Sequence, residues 1–91
     1  MNFEWDPRKA AANLRSHGVS FEEAASAFAD WQSITVPDPE HSVGEARYYL
    51  LGMSNQGNVL VVCHTDRGEN TRIISAGQAN ARQRRQYEEG S

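Results

Sequence analysis

Three segments with the two-residue period of β-strands dominate the second half of the chain and limit what it can fold into. Residues 47–53 and 59–65 have the apolar content and length of strands, and Asn-Gln-Gly at 55–57 has the composition of a hairpin turn. A polar turn at 66–69 leads into a third strand over 71–76. Strands joined by such short connections pair antiparallel, so the sequence predicts a three-stranded meander.

The beginning of the chain predicts an edge strand and a helix. Residues 2–5 alternate polar and apolar, and Asp6-Pro7 has the form of an N-cap followed by proline at the first helical position. Gly18 is placed to end this helix as a left-handed C-cap. We expect its apolar stripe at Ala10, Ala11, Leu14 and His17.

A second helix and a short strand complete the first half. Ser20 and Glu23 fit the Ser-x-x-Glu capping box, and the helix is expected to run to about Ala29. A strand over 31–36 follows, and a helix carrying several arginines follows the meander. The sequence therefore predicts one α+β domain over residues 1–91: a small antiparallel sheet of the meander plus one or two N-terminal strands, two N-terminal helices and one C-terminal helix, with all helices able to cover one face.

Charge and hydropathy narrow the class of protein. Residues 1–45 hold eight acids and three bases, whereas residues 46–91 hold four acids and six bases. The net charge of −3 argues against a protein that coats polyanions, but the basic second half permits a local phosphate site. The longest apolar run, 58–63, is too short for a membrane span, which favours a soluble, cytoplasmic protein without a membrane partner.

Two further features argue against metal and redox chemistry. The single cysteine, Cys63, lies within an apolar strand, as a reduced core thiol would. Asp38, Glu40 and His41 resemble metal ligands in type, but they lie in a polar loop and no second cluster of ligands accompanies them. We expect no metal and no cofactor.

Three motifs follow one another in a fixed order: Phe-Glu-Trp-Asp-Pro at 3–7, His-Gly-Val-Ser-Phe at 17–21 and Arg-Ile-Ile-Ser-Ala at 72–76. With them, and in the same order and spacing, stand Lys9-Ala10, Asn13, Glu22-Glu23-Ala24, His64-Thr65 and Arg67-Gly68. Over nearly its whole length the chain thereby resembles the BrnT family of toxins.

The resemblance implies a fold and a function. It implies a RelE-like ribonuclease fold and the toxin component of a bacterial type II toxin–antitoxin system, which cleaves RNA and inhibits translation. It also implies a BrnA-type antitoxin as partner. That antitoxin is a DNA-binding protein that covers the toxin and represses the shared operon, so the toxin would meet DNA only indirectly.

Metal-free RNA cleavage requires activation of the 2′-hydroxyl, stabilisation of charge on the phosphate, and protonation of the leaving oxygen. Arginine suits the phosphate because its planar fork donates two hydrogen bonds and stays charged. Histidine suits proton transfer because it titrates near neutral pH. Our catalytic candidates are the arginines Arg47, Arg72 and Arg82, with either His17 or His64 for the proton.

Other side chains are candidates for RNA contact. The aromatic residues Trp5 and Tyr49 could stack an unpaired base, and Tyr87 could present its hydroxyl, although core packing is an alternative for all three. Arg84 and Arg85 of the last helix complete the set of expected RNA-binding residues.

The chain also departs from the family pattern. Basic residues commonly follow the Ser-Ala of the last motif, where this chain has Gly77-Gln78. A glutamate is common in place of Gln83, and a lysine or arginine in place of Ser16. We therefore hypothesise an attenuated toxin that keeps its fold and antitoxin surface. The alternatives are a catalytically silent antitoxin-binding module that acts in operon repression, and an unrelated small α+β interaction domain.

Overall fold

One five-stranded sheet organises the protein. The computed structural model describes residues 1–90. The strands are β1 Asn2–Glu4, β2 Ile34–Pro37, β3 Arg47–Met53, β4 Val59–Arg67 and β5 Asn70–Gln78, in the order β1-β5-β4-β3-β2. The helices are α1 Pro7–His17, α2 Phe21–Ser26 with a 3₁₀ turn at Ala27–Ala29, and α3 Ala81–Glu89; a second 3₁₀ turn, Pro39–His41, joins β2 to β3.

The α+β class, the meander β3-β4-β5 and the helix order are confirmed, but the sheet is mixed. Strand β2 joins β3 antiparallel, whereas β1 pairs with β5 in parallel, from Asn2 opposite Asn70 to Glu4 opposite Arg72. The expected all-antiparallel sheet was therefore wrong at this edge. A strand of three residues shows its period but not its partner, and in the sequence α1 and α2 separate β1 from the other strands.

The main core lies between α2 and one face of the sheet. Phe21, Ala24 and Ala27 pack against inward-facing residues of β3, β4 and β5, namely Leu50, Leu60, Val62, Ile73 and Ala76. Gly52 permits close approach of the 3₁₀ turn, because a Cβ there would lie 2.8 Å from the carbonyl oxygen of Ala27.

Helix α1 is capped as expected but packs differently. Asp6 accepts a hydrogen bond from the backbone N–H of Arg8, and Gly18, with φ of 70°, ends the helix. The expected apolar stripe is confirmed only at Ala10, which packs against the core. It was wrong at the other three positions, since Leu14 is 51% exposed and Ala11 and His17 are also exposed. Short side chains on this helix provide little apolar surface, and the residue it buries is a polar one, Asn13.

Asn13 completes the outer edge of β5. Strand β1 pairs only with residues 70–72. On this outer edge, the rest of β5 has no neighbouring strand, whereas β4 pairs with its inner edge. The Asn13 amide donates to the Ala76 carbonyl oxygen at 2.8 Å and accepts from the Ala76 N–H at 3.1 Å, as a strand would. It also donates to the Val19 carbonyl oxygen at 2.9 Å. One side chain thus joins α1, the α1–α2 turn and β5.

Glu23 ties α2 to the β3–β4 turn. The Ser20 hydroxyl accepts from the Glu23 N–H at 3.0 Å, as the capping box predicts. The Glu23 carboxylate, however, accepts from the Ser54 hydroxyl at 2.7 Å and the Asn58 amide at 2.9 Å. Only half of the predicted box therefore forms, because the carboxylate is buried against the hairpin.

Helix α3 packs on the opposite face of the sheet, so the expectation that all helices share one face was wrong. Asn80 and Gln83 form a reciprocal capping box at its start. Its Tyr87 is buried, as are Ala79 before it and Leu51 on the facing strand, outside the main core cluster. The Tyr87 hydroxyl donates to Asp30 at 2.5 Å, which anchors the helix at one end of this face.

The packing of Asn13 gives a prediction about stability. Asn13→Ala leaves the Ala76 N–H and two carbonyl groups without their partner, so we expect the free energy of unfolding to fall by about 2–4 kcal/mol. Denaturant unfolding measures the change. Leu14→Ala, at an exposed position of the same helix, is the control and should cost less than about 1 kcal/mol. Equal losses for the two variants would contradict the proposed importance of the edge contact.

Candidate active site on the open face of the sheet

The face of the sheet opposite α2 is open along a row of side chains that crosses three strands. Tyr49 of β3 lies opposite Cys63 of β4, which lies opposite Ser75 of β5. Three depressions of about 610, 500 and 170 Å³ adjoin this row. Because α3 covers only one end of the face, side chains from α1, α3 and the β2–β3 loop can all reach its margins.

The largest depression lies between Tyr49 and α3. Arg82 and Arg85 line it, one helical turn apart, whereas the exposed Arg84 does not. Within residues 1–90, neither Arg82 nor Arg85 forms an ion pair. Two guanidinium groups are therefore available to an anion at this margin of the open face.

The second depression lies between the end of α1 and β5. Its lining includes His17, Cys63, Ser75, Gly77 and Gln78. The exposed His17 reaches this edge because the Asn13 contact holds α1 alongside β5. A proton-transfer candidate thus borders Cys63 and Ser75, the part of the row that also lines the smallest depression and that we call the floor.

The smallest depression contains Arg47, and with it Asp38 and His41 of the β2–β3 loop. The Nε of Arg47 lies 3.5 Å from a Glu45 oxygen and, within residues 1–90, forms no hydrogen bond, and Glu45 lies 3.9 Å from Arg67. His41 Nδ1 lies 2.7 Å from the Asp38 carboxylate. Sequence reasoning considered this pair only as metal ligands; the Asp-x-x-His spacing was the signal for a local contact between the two side chains.

His64, the other histidine candidate, lies in the core instead. It is 6% exposed, and its ring centre lies 5.0 Å from Phe28 and 5.7 Å from Tyr48. Neither ring nitrogen has a hydrogen-bond partner. Burial lowers the pKa of His64, and the nearby charge of Asp66 opposes that shift only in part. Strand β4 directs this side chain to the face that packs against α2, together with Leu60 and Val62, and away from the open face.

Two more candidates, Arg72 and Trp5, have partners within the fold. Arg72 donates to Glu4 at 2.7 Å across the β1–β5 pair, and hydrogen bonds from Asn70 and Arg72 lower the pKa of Glu4. Trp5 packs its ring edge-on against Phe21, with ring centres 5.9 Å apart. These two side chains therefore belong to the sheet edge and the core rather than to the depressions.

Tyr87 is likewise occupied by its anchoring role. Its hydrogen bond to Asp30, with burial, raises the pKa of Tyr87 to about 12. Burial pushes the pKa of Asp30 upward, but hydrogen bonds from Tyr87, Met53 and Gln32 outweigh it and lower that pKa. The pair stays phenol and carboxylate, so the Tyr87 hydroxyl is not free for RNA.

Metal binding and membrane insertion find no support in the described part of the chain. Within residues 1–90 no three His, Cys, Asp or Glu side chains converge as metal ligands. The helices of the same residues are too short and too polar to cross a membrane.

Comparison with known proteins identifies the family. A family model described as the ribonuclease toxin BrnT of type II toxin–antitoxin systems matches residues 5–83. The chain belongs to this family. The 1.1 Å crystal structure of the Brucella abortus ribonuclease toxin BrnT shares the fold, with a TM-score of 0.69 and 22% identity over 88% of this chain and 97% of that one. No curated protein sequence matches significantly.

Gly77 is one of the two positions where the family resemblance led us to expect basic residues, and it lies in β5. Gly77 and Gln78 belong to β5, which continues two residues beyond its predicted end at residue 76, and they line the depression beside His17. Gly77 does not have a positive φ, and a Cβ there would meet nothing within 4 Å. The backbone therefore does not require glycine, and a larger side chain has room over the floor.

The burial of His64 predicts a pH-dependent stability. Histidine in an unfolded chain titrates near pH 6.5, whereas the folded protein holds His64 neutral to lower pH. As the pH falls below about 6.5, the unfolded chain therefore binds a proton that folded His64 excludes, and the free energy of unfolding decreases by up to about 1.4 kcal/mol per pH unit until the folded pKa is reached.

Denaturant unfolding between pH 7.5 and the acid range measures this slope. His64→Leu should flatten the curve below about pH 6.5, because the group responsible is gone. His17→Gln, which removes an exposed histidine, should keep the wild-type slope. Parallel curves for wild type and His64→Leu would contradict the assignment.

Proposed function

We propose that this BrnT-family protein is a metal-independent endoribonuclease that binds RNA on the open face of the sheet, cleaves it and thereby inhibits translation in the cytoplasm. The observation that carries the proposal is the convergence on one uncovered face of unpaired arginines from α3, an arginine from β3 and a histidine from α1. Membership of a ribonuclease toxin family supports the same conclusion.

The phosphate is held by arginine. Arg82 and Arg85 supply two charges along α3, and Arg47 supplies a third beyond the Cys63–Ser75 part of the floor. Guanidinium groups suit this role because they donate in a planar fork and remain charged. Tyr49, half-buried beside Arg82 and Arg85, offers a ring face to an unpaired base.

His17 is the proton-transfer group of this proposal. It borders the second depression, whose floor includes Cys63 and Ser75, and its exposure leaves the ring accessible to solvent and substrate. His64 and Arg72 receive no contact with substrate, since one is buried and the other is paired with Glu4.

The uncharged floor beside His17 supports attenuation. Gly77 and Gln78 stand where the family pattern commonly has basic residues, and both line the depression. The same observation favours a second candidate function, a silent module that binds its antitoxin and acts only in operon repression. In either case a BrnA-type antitoxin, a DNA-binding protein, is the proposed partner.

Cleavage tests the proposal. The purified protein, incubated with single-stranded RNA in excess EDTA, should yield discrete fragments. Arg82→Ala and Arg85→Ala should each lower kcat/KM about tenfold to a hundredfold, because each removes a charged hydrogen-bond donor from the phosphate. Arg84→Ala, on the same helix but outside the depression, is the matched control and should stay near wild type.

Two outcomes would contradict this proposal. One is cleavage that EDTA abolishes; the other is an equal effect of all three arginine substitutions. A protein that cleaves nothing, yet co-purifies with the DNA-binding product of the adjacent gene, would favour the silent module.

Attenuation gives a separate prediction. Gly77→Arg with Gln78→Arg should increase both RNA cleavage and growth inhibition, because it adds two cations to the residues that line the depression beside His17. Fragment formation and colony counts after induction measure the gain.

A double variant with the same added charge elsewhere controls for net charge. Thr35→Arg with Gln56→Arg places two arginines at exposed positions outside the three depressions. It should leave cleavage unchanged. If both double variants behave like wild type, the missing cations at 77 and 78 do not limit activity.

A further inference from the structure

The β2–β3 loop holds an aspartate and a histidine in direct contact at the margin of the open face. His41 Nδ1 lies 2.7 Å from Asp38 Oδ2, and the histidine side chain is 67% exposed whereas the aspartate is 20% exposed. Both belong to the 3₁₀ turn and its N-terminal flank, so the contact spans three residues. The exposed partner is thus the imidazole, and the sheltered partner is the carboxylate that orients it.

We propose that His41, oriented by Asp38, is the general base that activates the 2′-hydroxyl of the RNA. The proposal rests on the ribonuclease function proposed above and adds a second proton-transfer group to it. Asp38 is a positioning residue, since it acts through the imidazole.

The loop is fastened to the strand that carries Arg47. The Asp38 N–H donates to the Arg47 carbonyl oxygen at 2.9 Å, and the Arg47 N–H donates to the Ser42 hydroxyl at 2.9 Å. The Ser42 hydroxyl in turn donates to the Asp38 carbonyl oxygen at 2.7 Å. These bonds close the loop on Arg47, so the dyad and the phosphate-binding arginine form one unit.

The groups around the His41–Asp38 pair, which we call the dyad, are compatible with a general base at His41. The charged or titratable groups that line the depression are Asp38 and His41 of the loop, Arg47 and Tyr48 of β3, and the Cys63 thiol of β4. Glu45 stands behind Arg47, with a carboxylate oxygen 3.5 Å from its Nε. The carboxylate of Asp38 favours the tautomer with the proton on Nδ1, which leaves the lone pair of Nε2 free. Arg47 is in place to hold the phosphate whose neighbouring hydroxyl loses its proton.

The two histidines then divide the proton transfers. His41 Nε2 takes the proton from the 2′-hydroxyl while the O2′–P bond forms. The P–O5′ bond breaks and the leaving oxygen takes a proton from protonated His17 on the other side of the Cys63–Ser75 floor. The products are a 2′,3′-cyclic phosphate and a 5′-hydroxyl, and the protons on the two imidazoles re-equilibrate through water.

Substitution of the dyad tests this assignment. His41→Gln should lower kcat about 10²- to 10⁴-fold with little change in KM, because a general base acts in the chemical step and not in binding. It should also remove the decrease of kcat/KM at acid pH that protonation of the base causes. Asp38→Asn should lower kcat less and should shift that acid limb, which a purely structural loop contact would not do.

Glu40→Gln is the matched control, since Glu40 lies between the dyad residues but does not line the depression. The Glu40→Gln protein should have the same kcat and the same pH dependence of kcat/KM as the wild type. Thermal unfolding of each variant checks that the fold is retained. A His41→Gln protein that is folded and cleaves RNA at the wild-type rate, with its acid limb intact, would overturn the assignment.

A binding measurement separates this inference from the proposed function. A 2′-O-methyl RNA oligonucleotide has no 2′-hydroxyl to lose and is not cleaved by this chemistry. In NMR titrations it should shift the ring resonances of His41 in the wild type. If neither the wild type nor the Gly77→Arg/Gln78→Arg chain cleaves RNA, the proposed function fails. If the protein cleaves RNA but the His41 ring does not respond, the proposed function stands and the base is elsewhere.

Discussion

The contact of Asn13 with Ala76 is the constraint on which the arrangement of the molecule depends. A short parallel strand covers the start of the β5 edge, and a single amide pairs with the backbone beyond it. An amide suits this place because it donates and accepts at once, as a peptide group does. The same contact fixes α1 beside β5, so the residue at the end of that helix, His17, reaches the open face.

The unequal coverage of the two faces of the sheet explains where chemistry can occur. One face is buried by α2 and its 3₁₀ extension around Phe21, whereas the other is covered at one end, where Tyr87 anchors α3 through Asp30. The uncovered part is a floor of small or medium side chains, including Cys63 and Ser75, with cations and histidines around its rim. Such a surface admits a flat, anionic chain.

The elements of the fold could largely be predicted from the sequence, because strand period and helix caps are local signals. The partners of polar residues such as Glu23 could not be predicted, because they come from distant parts of the chain. Glu23 fits a capping box by spacing, yet its carboxylate pairs with the β3–β4 turn, which only the folded chain brings near. His64 and His17 look equally suitable as residue types, and burial alone separates them. His41 was considered only as a metal ligand and was rejected in that role. Its partner Asp38 lies three residues earlier, at the start of the same turn.

The open space above Gly77 has an evolutionary consequence. Because a Cβ at this position would meet no neighbour within 4 Å, a side chain can leave the backbone there without displacing the core. Natural proteins are held near a stability threshold, and most substitutions in a chain of this size are limited by it. A substitution at this position is expected to escape that limit, so the charge beside His17 can change within a lineage while the fold is retained.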